Sequence, residues 1–303
     1  MTTTPPAAAV QPADPADGAG TRVDGVEVLG ALSPSRVSDF VACPLLFRFR
    51  TIDRLPEAPS PAAVRGTVVH RVLEQIFDLP AVERTPRQAR SMLVPAWKEL
   101  VEAEPALASM FPAGGAAISG WLASCREVLD RYFSLEDPRL LEPADRELYV
   151  ETLTDTKLLL RGVIDRVDVA TDGAIRIVDY KTGNSVAEDF EVKALFQLKF
   201  YALVLWRTRG VVPAMLQLIY LGNGEVLRYA PDEQDLLATE RKVQAVWEAV
   251  RTAQETGDWQ ASPGFACKFC SHQALCPAYG GTPPPLPEAA HPTAGPGPSA
   301  SSG

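Results

Sequence analysis

The stretch Gly162-Val163-Ile164-Asp165-Arg166-Val167-Asp168, followed by Ile177-Val178-Asp179-Tyr180-Lys181, decides the fold of this chain. We predict two consecutive strands here, and side chains alternate between the two faces of a strand. Asp179 and Lys181 therefore point into the same space, and Asp165 reaches that space if the strands pair. Paired carboxylates bind a hard cation such as magnesium, and a neighbouring lysine can orient or deprotonate a water on it. The pattern fits the hydrolysis of a phosphodiester.

The Asp-x-Lys tripeptide also has a simpler explanation. A carboxylate and a lysine at a strand end often form a surface ion pair beside a turn, and Thr182-Gly183-Asn184 is a turn signal. The tripeptide alone favours the ion pair, so the hydrolytic interpretation depends on the motifs around it.

Length and composition favour a protein with a sizeable core. The chain has 303 residues, of which 46% are hydrophobic, enough for one large domain or two small ones. Since it has neither a run long enough to span a bilayer nor the pattern of a secretory signal, we expect a cytoplasmic protein with no membrane partner. The net charge of −9 argues against nonspecific coating of nucleic acid. A local excess of arginine between Arg36 and Arg71 still allows a basic DNA-binding groove, although a mixed-charge surface explains it equally well.

Residue patterns divide the chain into an arm, a folded domain and a tail. Residues 1–28 and the Pro/Gly/Ser-rich residues 281–303 lack periodicity and are predicted to be disordered. Ser33 and Pro34 begin a helix that ends near Cys43, and a second helix follows Gly66. Further helices are predicted at 86–103, 116–135, 189–208 and 232–256, and strands at 146–153, 157–170, 174–181, 214–221 and 224–230. This order predicts an α/β or α+β domain with a mixed sheet.

Five motifs occur in order along the chain: Leu32-Ser33-Pro34-Ser35, Gly66-Thr67-Val68-Val69-His70, Gly162 to Asp168, Asp179-Tyr180-Lys181-Thr182-Gly183 and Gln197-Leu198-Lys199-Phe200-Tyr201. Each is weakly specific, but the ordered set resembles the RecB-family exonucleases of the PD-(D/E)XK nuclease superfamily. The resemblance covers residues 32 to 277. It implies an α/β fold in residues 29–280, with a restriction-endonuclease-like core, a central mixed sheet flanked by helices, and an N-terminal helical region.

The resemblance also implies an active site. Asp165, Asp179 and Lys181 match its catalytic residues. His70, Asp165, Asp179 and the backbone carbonyl of Tyr180 would hold one or two Mg²⁺ or Mn²⁺ ions, and Lys181 would orient the attacking water.

Several other polar residues have both a functional and a structural interpretation. A lone helical histidine such as His70 is in general a satisfied, partly buried residue. Gln197 and Tyr201, one helical turn apart, match residues that line the cleft and position substrate or Lys181, but they could simply edge an amphipathic helix. Glu147 matches a glutamate often seen in these nucleases, or is an exposed strand-end charge. We expect Arg166 to be structural.

Three clustered cysteines, Cys267-x2-Cys270-x5-Cys276, precede the tail. Five cysteines in a cytoplasmic protein do not make a disulfide framework, and three thiols need a fourth ligand to complete a metal site. The candidates are Cys43, Cys125 and His272. Cys125 lies on an apolar helix face and fits the core, whereas His272 would complete a zinc site.

The resemblance favours Cys43 as the fourth ligand. AddB-like nucleases and CRISPR-adaptation nucleases carry one N-terminal cysteine and a distant Cys-x2-Cys-x5-Cys that together hold a [4Fe–4S] cluster. Cys43, Cys267, Cys270 and Cys276 match this layout. Such a cluster would act as a C-terminal staple that ties the first helix to the end of the domain. Zinc is the alternative.

The expected function is a DNA nuclease, specifically an exonuclease on single-stranded or resected DNA ends in repair or recombination. No Walker motif is present, so a helicase or another repair protein would be a partner. One alternative is a CRISPR-adaptation-type nuclease that trims short DNA. The other is a non-catalytic DNA-end-binding subunit of a repair complex, against which the complete set of Asp165, Asp179 and Lys181 argues.

Overall fold

The computed structural model describes residues 22–23, 25–111, 114–184 and 187–287, without the side chains of 187–191. The strands are β1 (Arg22–Val23), β2 (Val26–Glu27), β3 (Gly30–Leu32), β4 (Asp145–Leu153), β5 (Leu158–Val169), β6 (Ile175–Lys181), β7 (Met215–Tyr220) and β8 (Glu225–Tyr229). The α-helices are α1 (Pro34–Ala42), α2 (Pro44–Phe47), α3 (Pro61–Gln75), α4 (Pro86–Ala103), α5 (Gly115–Leu135), α6 (Ala187–Arg209) and α7 (Glu233–Thr256). Short 3-10 turns fill Phe265–Phe269, Gln273–Leu275 and Pro277–Tyr279.

The strand β5 organises a mixed sheet in which the described strands run in the order β3-β5-β6-β7-β8, with β4 also paired to β5. β4 runs antiparallel along β5 between Leu159 and Val167. The opposite edge of β5 is therefore shared by β3, parallel at Leu158–Leu160, and by β6, antiparallel at Arg166–Val169. The described pairings leave the middle of this edge open, and Asp165 lies there.

Helices cover both faces of this sheet. On one face, Ile175 and Ile177 of β6 belong to a core that includes α6 and α7. On the other face, Val178 and Tyr180 pack in a core with α3, α4 and α5. The period-two alternation of β6 thus divides its side chains between two cores. This is the predicted α/β fold, a mixed central sheet flanked by helices, and the prediction is confirmed.

Local signals explain where the first helices begin. Ser33 caps α1 by accepting a hydrogen bond from the backbone amide of Arg36, and Pro34 follows at the first helical position. Ser60 and Pro61 repeat this arrangement at the start of α3. The helix predicted to follow Gly66 therefore begins five residues before that glycine.

The predicted arm and tail lie mostly outside the described residues. Within the arm, however, Arg22–Val23 pairs with Val26–Glu27, and Val28 is buried. Within the tail, residues 281–287 are described, Arg48 donates a hydrogen bond to the carbonyl of Pro284, and Leu286 packs against the core. Structured chain thus extends past both predicted borders. The described residues include no helix with the length and apolarity needed to cross a membrane.

Candidate active site

Three acidic or imidazole side chains converge around Asp165 in the middle of β5. His70 from α3, Glu147 from β4 and Asp165 from β5 bring ligand atoms to within 4.8 Å of one another. Glu147 and Asp165 come together because β4 and β5 pair in register on either side of them. A nitrogen and two carboxylate oxygens on one side make a donor set that suits Mg²⁺ or Mn²⁺.

The backbone of Tyr180 holds two of these ligands in place. Its amide donates a hydrogen bond of 2.7 Å to Asp165 Oδ2, and its carbonyl lies 2.9 Å from His70 Nε2. His70 Nδ1 lies 3.5 Å from Asp165 Oδ2. When Nε2 carries the proton and donates it to the carbonyl, Nδ1 is left as the metal-facing atom. The Tyr180 carbonyl, predicted as a ligand, therefore accepts a hydrogen bond from another predicted ligand.

Glu147 enters the site through an unusual backbone conformation. Its φ is +43° inside a strand, a left-handed conformation that costs energy for a residue with a side chain. Burial and the Asp165 carboxylate raise its pKa to about 7. Burial lowers the pKa of His70, but the charge and hydrogen bond of Asp165, together with the charges of Asp179 and Glu147, raise that pKa to about 9. The negative charge held together here favours a cation.

Asp179 lies beside this trio but engages a different partner. Its side chain is almost fully buried, and Oδ2 lies 2.6 Å from Lys181 Nζ. Burial raises the pKa of Asp179 to about 6, while Lys181 acts in the opposite direction. Among the described residues, Asp179 is not one of the three whose ligand atoms cluster.

A chain of polar contacts extends from Lys181 to α6. Lys181 Nζ donates to Gln197 Oε1 at 2.8 Å, and Gln197 Nε2 donates to the Tyr201 hydroxyl at 3.0 Å. Gly162 of β5 leaves room for the Tyr201 ring, because a Cβ at this position would lie 2.5 Å from the ring carbon Cε1. The close approach explains why a glycine occupies this strand.

Behind the site lies a buried ionic network that sequence reasoning captured only in part. Arg166 is 1% exposed and binds Glu136 through two hydrogen bonds of 2.8 and 3.0 Å. It also contacts the Tyr180 hydroxyl at 2.5 Å and Asp168 at 3.2 Å. The structural role expected for Arg166 fits these contacts. The sequence did not reveal Glu136, which directly follows α5 and lies thirty residues before Arg166. The one available signal was that a buried arginine needs an acidic partner.

A cleft lies beside His70 and Lys181. His70, Lys181, Gln197 and Tyr201 lie in its wall, together with Arg65 of α3 and other residues: Ser33, Ser35, Arg131, Gly162, Lys193 and Phe269. A smaller pocket on the other side of α3 is lined by His70 and Glu147 as well. The candidate metal site therefore opens into both spaces.

The four predicted cluster ligands meet in another pocket. Cys43, Cys267, Cys270 and Cys276 all line it, although Cys43 lies more than two hundred residues from the others. The amides of Ser262 and Gly264 donate to the sulfurs of Cys43 and Cys267 at 3.4 and 3.3 Å.

The other candidates for the fourth ligand lie elsewhere. Cys125 is fully buried in the core. His272, the alternative for a zinc site, is buried, and its Nε2 lies 2.9 Å from Glu57.

Comparisons with known proteins agree with this architecture. A family model for the PD-(D/E)XK nuclease superfamily matches residues 31–277. The Gene 69 protein of Mycobacterium phage D29 is 27% identical over 271 residues, which cover 82% of this chain and 96% of the phage protein. The Gene 69 protein of Mycobacterium phage L5 is 29% identical over 123 residues, 40% of either chain.

Among solved structures, a candidate exonuclease from Eubacterium rectale has a TM-score of 0.50 at 11% identity, with 79% of this chain and 87% of that chain covered. This likeness concerns the fold alone. The family model, which spans most of the sequence and contains every residue of the carboxylate site, establishes that the chain belongs to the PD-(D/E)XK nuclease superfamily.

Proposed function

We propose that this chain is a RecB-type, metal-dependent deoxyribonuclease, an exonuclease that acts on single-stranded or resected DNA ends in repair or recombination. The observation that carries the proposal is the combination of a three-ligand cation site with an ion pair between the buried Asp179 and Lys181, beside a cleft lined by His70 and Lys181. A surface ion pair beside a turn would be exposed to solvent. Asp179 is 1% exposed instead, and burying a carboxylate that has no function is costly.

Each side chain has a role in this proposal. His70, Glu147 and Asp165 hold a Mg²⁺ or Mn²⁺ ion, with Asp179 and the Tyr180 carbonyl adjoining them. The ion, when bound, would polarise the scissile phosphate and lower the pKa of a bound water. Lys181 orients the attacking water and offsets the negative charge that develops on the phosphate.

Gln197 and Tyr201 restrict where the Lys181 ammonium can point. The lysine has a flexible four-carbon stem, and its contact with Gln197 at 2.8 Å adds a second anchor to the one from Asp179. The Tyr201 hydroxyl in turn fixes the side-chain amide of Gln197. We infer that these two residues are positioning residues for Lys181.

We propose further that Cys43, Cys267, Cys270 and Cys276 bind a [4Fe–4S] cluster in the AddB-like manner. Four thiols lining one pocket form a suitable donor set, and backbone amides directed at two sulfurs would stabilise thiolates. A tetrahedral zinc site would use the same four thiols, and the metal content of the purified protein separates the two.

The cellular setting follows from this chemistry. Cysteines that stay reduced and bind a cluster are typical of cytoplasmic proteins. A helicase or another repair protein would supply the DNA ends. A nuclease that trims short DNA for CRISPR adaptation would use the same residues, and substrate preference separates the two roles. The third possibility, a non-catalytic DNA-end-binding subunit, predicts DNA binding without cleavage.

A cleavage assay tests the proposal. Protein purified anaerobically is incubated with 5′- or 3′-labelled single-stranded and duplex DNA and with Mg²⁺ or Mn²⁺. Lys181→Ala is assayed beside Lys98→Ala, which changes an exposed lysine on α4. We expect shortening from an end of single-stranded DNA, a loss of about 10²- to 10³-fold in Lys181→Ala, and none in Lys98→Ala.

The assay also has results that count against the proposal. Internal cuts would overturn the exonuclease role, and preference for short duplexes would favour the trimming nuclease. A brown, cluster-loaded wild-type protein that binds DNA but leaves it intact would favour the binding subunit.

A further inference from the structure

Three large aromatic side chains are exposed on the segment that carries the clustered cysteines. Phe265, Phe269 and Tyr279 are 65%, 76% and 53% exposed. Phenylalanine is normally buried, and two such rings on one five-residue turn form a local apolar surface. Neither phenylalanine ring packs in the core, so the exposure of Phe265 and Phe269 calls for another explanation.

The two phenylalanines and one lysine form a compact unit. The rings of Phe265 and Phe269 have centroids 5.9 Å apart at an interplanar angle of 63°. Lys268 places its Nζ 4.9 Å from the Phe265 ring centroid. A cation beside exposed ring faces is the combination that suits nucleobases and the phosphates that link them. We call Phe265, Lys268 and Phe269 the aromatic platform.

The platform is continuous with the candidate active site. Phe269 lines the same cleft as His70 and Lys181. Arg65, a partly exposed arginine, lines this cleft too. A chain lying along the cleft would therefore meet the ring of Phe269, the Arg65 side chain, and His70 and Lys181 of the candidate site.

We propose that the aromatic platform binds single-stranded DNA by stacking on its bases. Phe269 and Phe265 would each take a base, and Lys268 and Arg65 would neutralise phosphates. This inference rests on the proposed nuclease function and specifies its substrate. Single strands are favoured over duplexes, because the bases of a duplex are already stacked on one another and leave no free ring face.

Binding measured without cleavage tests the platform. In a Lys181→Ala background with Mg²⁺, the fluorescence anisotropy of a labelled oligo(dT) and of a blunt duplex reports both affinities. Phe269→Ala and Phe265→Ala should each weaken oligo(dT) binding about 10-fold and leave duplex binding within about 2-fold. Leu140→Ala, at a side chain 82% exposed elsewhere on the surface, is the matched control and should change neither.

Two further variants separate stacking from simple apolar contact. Phe269→Leu keeps an apolar side chain without a ring face and should bind as weakly as Phe269→Ala. Phe269→Trp should bind at least as tightly as phenylalanine, and oligo(dT) should quench the added indole fluorescence. All these residues are exposed, so unchanged thermal melting is expected and can be checked.

Some results would overturn the platform. If Phe269→Ala and Phe265→Ala bind oligo(dT) with unchanged affinity, the aromatic platform does not bind DNA and would instead be a site for a protein partner. Equal losses for single strands and duplexes would overturn the platform as well. Cleavage by the wild-type protein is scored separately, so a platform that fails leaves the nuclease proposal standing. Conversely, ring-dependent binding by a protein that never cleaves would sink only the nuclease.

Discussion

Paired strands and a long helix hold the carboxylate site, whereas the cysteine-lined pocket joins a short helix to 3-10 turns more than two hundred residues later. At the first site, the Tyr180 backbone and the β4–β5 pairing fix the functional groups. At the second, the turns of residues 265–279 bury few side chains. The comparison suggests that the fold positions the first site, while the second would depend on the proposed cluster.

The largest expected effect is a loss of DNA cleavage in a variant that still folds. Asp179→Asn keeps the shape of the side chain but removes the charge that faces Lys181 at 2.6 Å. Because burial already raises the pKa of this carboxyl to about 6, a neutral side chain should be tolerated. We expect DNA cleavage to fall by about 10³-fold with DNA binding and the melting temperature nearly unchanged.

The control for this variant is Asp172→Asn. Asp172 lies in an exposed turn, where its side chain accepts a hydrogen bond from the amide of Ala174 that asparagine can replace. Unfolding of Asp179→Asn, or cleavage within about 10-fold of the wild type, would contradict the assignment of Asp179 as a catalytic group supported by a rigid sheet.

The second prediction concerns the cysteine-lined pocket. Cys43→Ser should lose the brown colour and release residues 258–279, because the link to the first helix is gone. Closing so long a loop contributes about 3 to 5 kcal/mol by chain-entropy reasoning. Iron content, absorbance and limited chymotrypsin digestion, which would cut at Phe265 and Phe269, measure the effect.

Cys125→Ala is the comparison for Cys43→Ser. Cys125 is fully buried away from the pocket, so its loss should cost some packing energy but retain iron and protease resistance. If Cys43→Ser stays brown and resistant, the pocket is held by its protein contacts alone, and the contrast between the two regions fails.

The third prediction concerns the repulsion between carboxylates at the candidate metal site. Glu147→Gln should weaken Mg²⁺ binding about 10-fold, yet stabilise the metal-free protein at pH 8. The pKa of Glu147 is raised to about 7 in the folded state from an ordinary value of 4.5. Its contribution to stability is therefore present below pH 4.5 and is lost as the pH rises through 7.

Melting in EDTA and with Mg²⁺ measures both effects. The gain in the free energy of unfolding at pH 8 should be about 1 kcal/mol, after allowance for solvent screening. Glu83→Gln, at an exposed position on a 3-10 turn, should show neither change. Equal melting temperatures for Glu147→Gln and the wild type in EDTA at pH 8 would show that repulsion between Glu147 and the neighbouring carboxylates does not lower stability.

Sequence patterns predicted the long elements because their signals are local, and local motifs likewise indicated the candidate site residues. Hydrophobic periodicity placed α4, β5 and α7 within a residue of their bounds. The strand β3 was missed since three residues carry no period, whereas the start of α3 at Ser60 repeats the Ser-Pro signal of α1 and could have been found. The positive φ of Glu147 and the contact of Glu136 with Arg166 depend on chain segments far apart in sequence. No local pattern encodes them.

The smallest effect concerns the relay from Tyr201 to Lys181. Tyr201→Phe keeps the ring against Gly162 and removes only the hydroxyl that accepts from Gln197. Loss of one partly buried hydrogen bond should cost about 1 kcal/mol of stability. Cleavage should slow about 3- to 5-fold through kcat, with little change in KM.

A double-mutant cycle decides whether this effect passes through Gln197. If the hydroxyl acts only by fixing the Gln197 amide, Tyr201→Phe should have no further effect on kcat in a Gln197→Ala background. Additive losses would mean that the hydroxyl acts directly on the substrate in the cleft. A loss as large as that of Lys181→Ala would instead make Tyr201 part of the chemistry, and the sheet edge would then supply only part of the catalytic apparatus.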